Sequence, residues 1–458
     1  MGRPERLFED LPRPAPFGAA DVLAELDDGL VLRRANAADT EAVVAFNRAV
    51  HADPPDYPPE EYAAAWTREL MDGRHPSMRA QDFVLVEDVK AGRIASCLCL
   101  VSHRLHFGGV ELAAGQPELV GTRPEYRRRG LVARQFEVIH RWSEERGQRL
   151  QLIDGIPWFY RQFGYEMALE QAQGRRVHAP ELDAGVPAPD VRVRPAQVGD
   201  AALLAEVQAR SSTRHRLSCR RSEAFWRYEL TARDAMSMRS RLYKVLETEG
   251  GEPLAALVHY PILNRTLLPV NFCERTDEGS WSSLLPALFT ELRREGEAFA
   301  ARDGGSFEGA NLLLGSQHPL YEVAGSRAAT PMPSSAWYVR VPDLPGFLRE
   351  VAPALEAHLE NSPAAGHSGR LDVSLYRSGL RLVLEAGRLV AVESWQPSTD
   401  ERGHVALPGL TFLQLLFGLH PLSELRRFWP DCVVRDEVAG AVLSALLPPQ
   451  PSDLLLTD

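Results

Sequence analysis

Three short stretches of this chain return after 160 or 161 residues, and that spacing constrains the fold more tightly than composition does. LRRANAAD from Leu32 matches VRPAQVGD from Val193, which sets Asp39 against Asp200. VLVE at Val84 resembles KVLE at Lys244, and YRQFGYEMA at Tyr160 matches YEVAGSRAA at Tyr321. Weak matches that agree on one offset mark a tandem duplication. The chain therefore reads as one α/β unit copied once, with boundaries near 180 and 335 and a third unit after them. Each copy opens with a strand, a turn and an amphipathic helix. In the first, Asp39 or Thr40 is expected to cap a helix whose apolar face is Val43, Val44, Phe46 and Val50. PPEEYAAAWTRELM follows as a second helix, then FVLVED and RIASCLCLV as strands, and a further strand pair ending at PELVGT.

At 458 residues the chain exceeds one ordinary core. The first 28 residues read as a polar, proline-rich extension without the apolar centre of a signal peptide. No apolar run approaches the roughly 20 residues needed to cross a bilayer, so a cytoplasmic protein without membrane contact is expected. The five cysteines are scattered through apolar stretches without metal-ligand spacing, so core thiols and no metal are expected. A net charge of −11 disfavours nucleic acid and is compatible with a cationic substrate.

PEYRRRGLVARQF, residues 124–136, poses an electrostatic problem. A helix starts at Leu131, and helix starts favour anions, yet Arg127, Arg128 and Arg129 stand in front of it with Gly130 as hinge. Glycine lets successive N–H groups converge on phosphate oxygens, and arginine forks bind those oxygens. A diphosphate resolves the charge; a solvated charge run is the plain alternative. The second copy has Asp277 and Glu278 at the corresponding place, which suits no polyanion and makes that copy a scaffold.

With these residues in view, the first copy resembles the Gcn5-related N-acetyltransferase (GNAT) superfamily. Its signature, Arg/Gln-x-x-Gly-x-Gly/Ala, is met as Arg127-Arg128-Arg129-Gly130-Leu131-Val132, with Val132 bulkier than the usual last residue. The resemblance implies that loop N–H groups bind the pyrophosphate of acetyl-coenzyme A, and that the preceding strand splays at Val120 and Thr122 to take the pantetheine arm. The order of units further resembles the Eis (enhanced intracellular survival) family. That implies an α/β (α+β) fold with two tandem GNAT-like mixed-sheet domains, at 29–180 and 181–335, and a smaller sterol-carrier-protein-like α+β domain at 336–458. In that family a tyrosine in an IYxRFGYG-like stretch is the general acid. FYRQFGYE aligns with it, which implies Tyr160 as the acid and Tyr165 in packing. Such relatives use the chain's terminal carboxylate as base, which implies Asp458; a frayed end is the alternative for PSDLLLTD.

The chemistry fits those residue types. A lysine-type amine has a pKa of ~10.4, so baring it at pH 7 costs ~4–5 kcal/mol unless the site lowers that pKa. A tyrosine of pKa ~10 stays protonated and can protonate a departing thiolate. Without the resemblance, Tyr160 reads as a packing aromatic in an aromatic-rich stretch. His103 and His106 in VSHRLHFGG read as exposed loop histidines. Asp53, Asp56 and Tyr57 lie where the superfamily lines its acceptor pocket, but no residue match assigns them a role. The expected activity is acetyl transfer from acetyl-coenzyme A to an amine: an aminoglycoside, a polyamine or a lysine side chain. The rival expectation is a catalytically silent protein that binds coenzyme A or a lipid, or regulates a partner. A homo-oligomer is compatible with either. In the third unit LDVSLYR and LRLVLEAGRLVAVESW read as strands with a hairpin at Ala386-Gly387, packing module or ligand cavity.

Overall fold

The duplication is written into the structure as a repeated ion triad. In the computed structural model, which describes residues 11–52, 60–171, 173–183, 190–332 and 335–455, Arg33 donates Nε to Glu87 (2.7 Å) and both Nη atoms to Asp39 (2.9 and 2.7 Å). Arg194 does the same with Glu247 (2.8 Å) and Asp200 (2.7 and 2.9 Å). The matched sequence positions are thus a guanidinium held by the turn after one strand and by the neighbouring strand. Asp39 was expected to cap the following helix. Its carboxylate instead binds Arg33 and the N–H groups of Asn36 and Ala15, and helix Thr40–Val50 has no side-chain cap.

Three sheets result. The first runs Val22–Glu25, Leu30–Arg34, Phe83–Asp88, Arg93–Phe107, Val110–Thr122, Leu150–Ile153, Ser335–Arg340, Glu166–Gln171, with Leu217–Cys219 paired onto Arg93–Phe107. The second runs Thr330–Pro331, Arg175–His178, Gly309–Leu312, Leu267–Arg275, Pro253–His259, Leu242–Thr248, Val191–Pro195. Sequence order and sheet membership part company at both junctions. Arg175–His178, ahead of residue 180, lies in the second sheet, and Ser335–Arg340, read as the start of the third unit, lies inside the first.

The third sheet runs Arg388–Trp395, Gly379–Glu385, Gly369–Ser374, Val405–Ala406, Val433–Val434. Its hairpin turns at Ala386 (φ 48°) and Gly387 (φ 83°), the pair expected from sequence. Its helices share one apolar core with Leu105, Phe107, Leu112 and Leu150 of the first sheet. The void among Leu348, Leu355, Val373, Phe412 and Leu446 is about 10 Å³, no larger than one water. Among the described residues no helix is long and apolar enough to cross a membrane.

Candidate active site

The strand Val110–Thr122 ends in a turn, Pro124–Tyr126, pinned by the Tyr126 hydroxyl on Asp88 (2.7 Å) and by Arg123 Nε on the Ile94 carbonyl (2.8 Å). Gly130, at φ 73°, then turns the chain into helix Leu131–Glu145 through the left-handed region that glycine enters without strain. No side chain caps this helix and its first turn holds no acid. The N–H groups of Leu131, Val132 and Ala133 have no acceptor in the helix itself. Arg127 donates Nε to the Thr122 carbonyl (3.3 Å), Arg129 pairs with Asp28 (2.6 Å), and Arg128 forms no ion pair among the described residues. An exposed pair such as Arg129–Asp28 is worth about 0–1 kcal/mol and opens readily.

The second copy answers the same electrostatic demand internally. Asp277 accepts from Gly279 N–H (3.0 Å) and Arg275 Nε (2.8 Å), Ser280 caps helix Trp281–Asp303, and Glu278 pairs with Arg210. That turn already holds its own anion.

Beside the first loop the sheet opens. Val110–Thr122 and Leu150–Ile153 pair in parallel only at Ala114–Leu150 and Gly115–Gln151, then diverge. The partner strand on the other side is interrupted by a bulge: Cys97 faces Gly121 and Cys99 faces Glu118, which takes Leu119 (φ 53°) and Val120 out of the ladder. In the second copy the parallel pairing covers four positions and His318 reaches across to the Cys273 carbonyl (2.9 Å), its ring against Trp281 and Tyr321. Burial, then the nearby Arg214 charge, holds His318 down at about 3, so it fills the opening as a neutral ring.

The first opening is part of a cleft of about 1330 Å³. Val120, Thr122, Arg127, Arg128, Arg129, Gly130, Leu131, Val132 and Tyr160 all line it. Tyr160 sits in the turn Phe159–Phe163, which docks on the arginine-loop helix by stacking Phe163 on Phe136 (centroids 4.4 Å apart, 8° between planes). Tyr338, from the inserted strand, packs on Tyr160 (5.5 Å), and its hydroxyl accepts the Trp158 N–H (2.5 Å). A Cβ on Gly155 would lie 2.5 Å from the Tyr160 ring, so glycine is required there for the ring to lie flat. Among the described residues the Tyr160 hydroxyl has no hydrogen-bond partner. Burial, then the Glu118 and Asp154 charges, raises its pKa. Tyr165 is fully buried, its hydroxyl 3.1 Å from His140 Nε2.

Asp458 lies outside the described residues, as do Asp53, Asp56 and Tyr57. The tail before Asp458 is packed: Asp453 bridges to Ser218, and Leu455 is buried beside Trp226, Tyr243, Val258 and Phe272. His103 and His106 are not loop residues. RIASCLCLV continues as one strand to Phe107, where His103 is 4% exposed with Nε2 2.7 Å from Gln116 Oε1, and His106 faces Ser218 across a strand pair.

Sequence reasoning missed Glu118, Asp154 and the wall given by the second copy, Ser237–Ser240, Tyr260–Ile262 and Asn264, all of which line the cleft. Glu118 accepts from Gln116 and from Arg239 Nη2 (2.9 Å). A lone acid inside the apolar strand PELVGT was the available signal; the distant wall left none. No group of three or more His, Cys, Asp or Glu among the described residues is placed to hold a metal.

Comparison with known proteins places these features. Residues 31–168 match a family model described as an acetyltransferase (GNAT) domain. None of the curated proteins compared matches the chain. Solved structures share its fold along 93% of its length. They include a conserved protein of unknown function from Enterococcus faecalis V583, a probable N-acyltransferase (13% identity, 98% of that chain, TM-score 0.65). A GCN5-related N-acetyltransferase from Kribbella flavida (17%, 99%, 0.60) and Eis1 from Mycobacterium abscessus (14%, 99%, 0.60) are equally extensive matches. At these identities the likeness is one of fold.

Proposed function

We propose that this chain, whose residues 31–168 match the acetyltransferase (GNAT) domain model and whose fold is shared with Eis1, transfers acetyl from acetyl-coenzyme A to a primary amine. The acceptor class is a small cationic molecule, an aminoglycoside or polyamine, or a lysine side chain. One observation carries the reading. The first copy's helix start has no anion of its own and opens onto the same cleft as a tyrosine hydroxyl that has no partner among the described residues, whereas the second copy satisfies both positions internally.

The residues fit the cosubstrate. The N–H groups of Leu131, Val132 and Ala133 hold pyrophosphate oxygens, and Arg127, Arg128 and Arg129 balance their charge. The strand released at Val120 and Thr122 offers its backbone to the extended arm, and its donors stabilise negative charge developing on the thioester carbonyl oxygen. Tyr160 keeps its proton at neutral pH and gives it to the departing sulfur. Asp154, exposed on the cleft wall, attracts the ammonium form of the acceptor. Asp458 is the base in this scheme, supported by a tail that is packed up to Leu455. Domain limits of 29–180, 181–335 and 336–458, with 1–28 as an extension, remain the organisation we favour, with strands exchanged across both junctions. The 10 Å³ void in the third unit favours a packing module over a sterol-carrier-like lipid site.

Native mass spectrometry of the purified protein, followed by thiol release across an amine panel, tests the proposal. Bound coenzyme A and amine-dependent thiol release are expected. Absence of coenzyme binding at millimolar concentration overturns the reading.

A further inference from the structure

Behind one wall of the cleft lies a buried arginine charge, that of Arg241, with no carboxylate partner among the described residues. It comes from the second copy, in the segment from Arg233 to Arg241. That segment is fastened to helix Glu60–Met71 of the first: Arg233 Nη1 donates to Glu69 (3.0 Å), Asp234 N–H to the same carboxylate (2.5 Å), and Met238 N–H to the Tyr62 carbonyl (3.2 Å). The wall is therefore fixed in place by the first copy.

Two arginines define its character. Arg239 lines the cleft with its guanidinium over Trp66 (4.5 Å) and gives Nη2 to Glu118. Its Nε is buried without an acceptor, and Nη1 makes no hydrogen bond among the described residues. Arg241, 7% exposed, lies 3.5 Å from the centroid of Tyr260, which lines the cleft. Its only acceptors among the described residues are two carbonyls, of Met238 (3.3 Å) and Ser240 (2.7 Å), with Nε unpaired and no carboxylate in reach. Carbonyls satisfy N–H groups without cancelling a charge, and an uncancelled buried cation is costly. The excess is felt at the surface of the cleft. Burial raises the Tyr260 phenol, yet the Arg241 and Arg239 charges, together with a hydrogen bond from the Asn271 side chain, hold it below its ordinary value.

The opposite sign lies across the cleft. Glu118 is paired with Arg239, while Asp154 is exposed and forms no ion pair among the described residues. A bound amine thus meets the Asp154 carboxylate near Tyr160 and, on the wall given by the second copy, Arg239 with Nε and Nη1 unpaired among the described residues and Arg241 behind it at Tyr260.

Resting on the acetyltransferase reading above, we propose that Arg239 of the second copy, with the Arg241 charge behind Tyr260, recognises a carboxylate on the acceptor, so that the preferred substrate is an amine carrying both charges. The second copy then determines specificity, beyond its role as scaffold.

Lysine and cadaverine, which is lysine without its carboxylate, form the decisive pair. Thiol release by the full-length protein is expected to give lysine a kcat/KM at least about 10-fold above cadaverine. In Arg239→Gln the ratio should fall toward one through a raised KM for lysine. Retained acetyl-coenzyme A affinity certifies that this variant is folded, and Arg239→Lys should restore part of the preference. Equal use of the two amines by the wild type, or an unchanged ratio in folded Arg239→Gln, overturns the inference while leaving the enzyme reading intact. Coenzyme binding with no amine of any kind acetylated overturns both.

Discussion

Tyr160→Phe and Tyr321→Phe remove the same atom from equivalent positions of the two copies, and the structure assigns them opposite consequences. The Tyr321 hydroxyl donates to the Leu312 carbonyl (2.7 Å) and accepts the Leu314 N–H (3.4 Å), both buried. Its loss strands those groups, at about 1–3 kcal/mol. For a unit of this size that lowers Tm by about 2–4 °C per kcal/mol. The Tyr160 hydroxyl bonds to nothing in the described chain, so Tyr160→Phe should melt like wild type. Its chemical step should slow by about 10²–10⁴, as for a lost general acid, equivalent to about 3–5 kcal/mol of barrier. Single-turnover thiol release isolates that step, and calorimetry reads the melts. Because burial raises the Tyr160 pKa, the wild-type rate should climb with pH as the acceptor loses its proton, without an alkaline fall below about pH 10. A full single-turnover rate in Tyr160→Phe would refute the assignment. Equal loss of activity in both variants would make the tyrosines structural.

Arg128→Glu with Arg129→Glu should weaken coenzyme A binding at least about 100-fold by calorimetry, with an unchanged melt, since each charged contact contributes about 1.5–3 kcal/mol; retained affinity removes the phosphate-loop assignment. Wild-type stoichiometry should be one coenzyme per chain, because Asp277 already occupies the second copy's turn; a value near two revives that copy as a second site. Gly155→Ala, whose methyl meets the Tyr160 ring, should depress turnover while sparing coenzyme affinity, and equal turnover would show that the ring position is unimportant. Acid should loosen the second copy: the Arg194 hydrogen bonds hold Asp200 and Glu247 below their ordinary values, so their stabilisation is complete above about pH 5 and is lost as pH falls through the lowered values. Replacing Arg194 by Met should flatten that acid dependence in denaturant titrations.

Legibility in the sequence followed the range of the interactions. The duplication was readable because each ion triad draws on a strand, the turn six residues on, and one neighbouring strand, so Arg33, Asp39 and Glu87 recur at a nearly fixed offset. The arginine loop was readable because strand, glycine and helix are contiguous. The exchange of Arg175–His178 and Ser335–Arg340 between sheets was not, since hydrophobic alternation marks a strand without naming its partner. His103 was misjudged for a related reason: polar letters in VSHRLHF suggested a loop, whereas the strand continues and buries the imidazole against Gln116. Arg239 reaches the cleft from more than 100 residues beyond the arginine loop that lines it too, a relation set by docking of the copies alone.

The strand Ser335–Arg340 sits in the interior of the first sheet, between Leu150–Ile153 and Glu166–Gln171, and bears the tyrosine that props Tyr160. During synthesis the ribosome must therefore add more than 160 residues after Gln171 before that gap can close, on the order of 10 s at 5–20 residues per second. Through that interval two strands of the nascent catalytic sheet hold unpaired edges. A chain terminated anywhere in the second copy would lack the strand and the catalytic geometry with it. Catalytic competence thus becomes a property only of polypeptides translated beyond both copies, and abortive products are silent from the start.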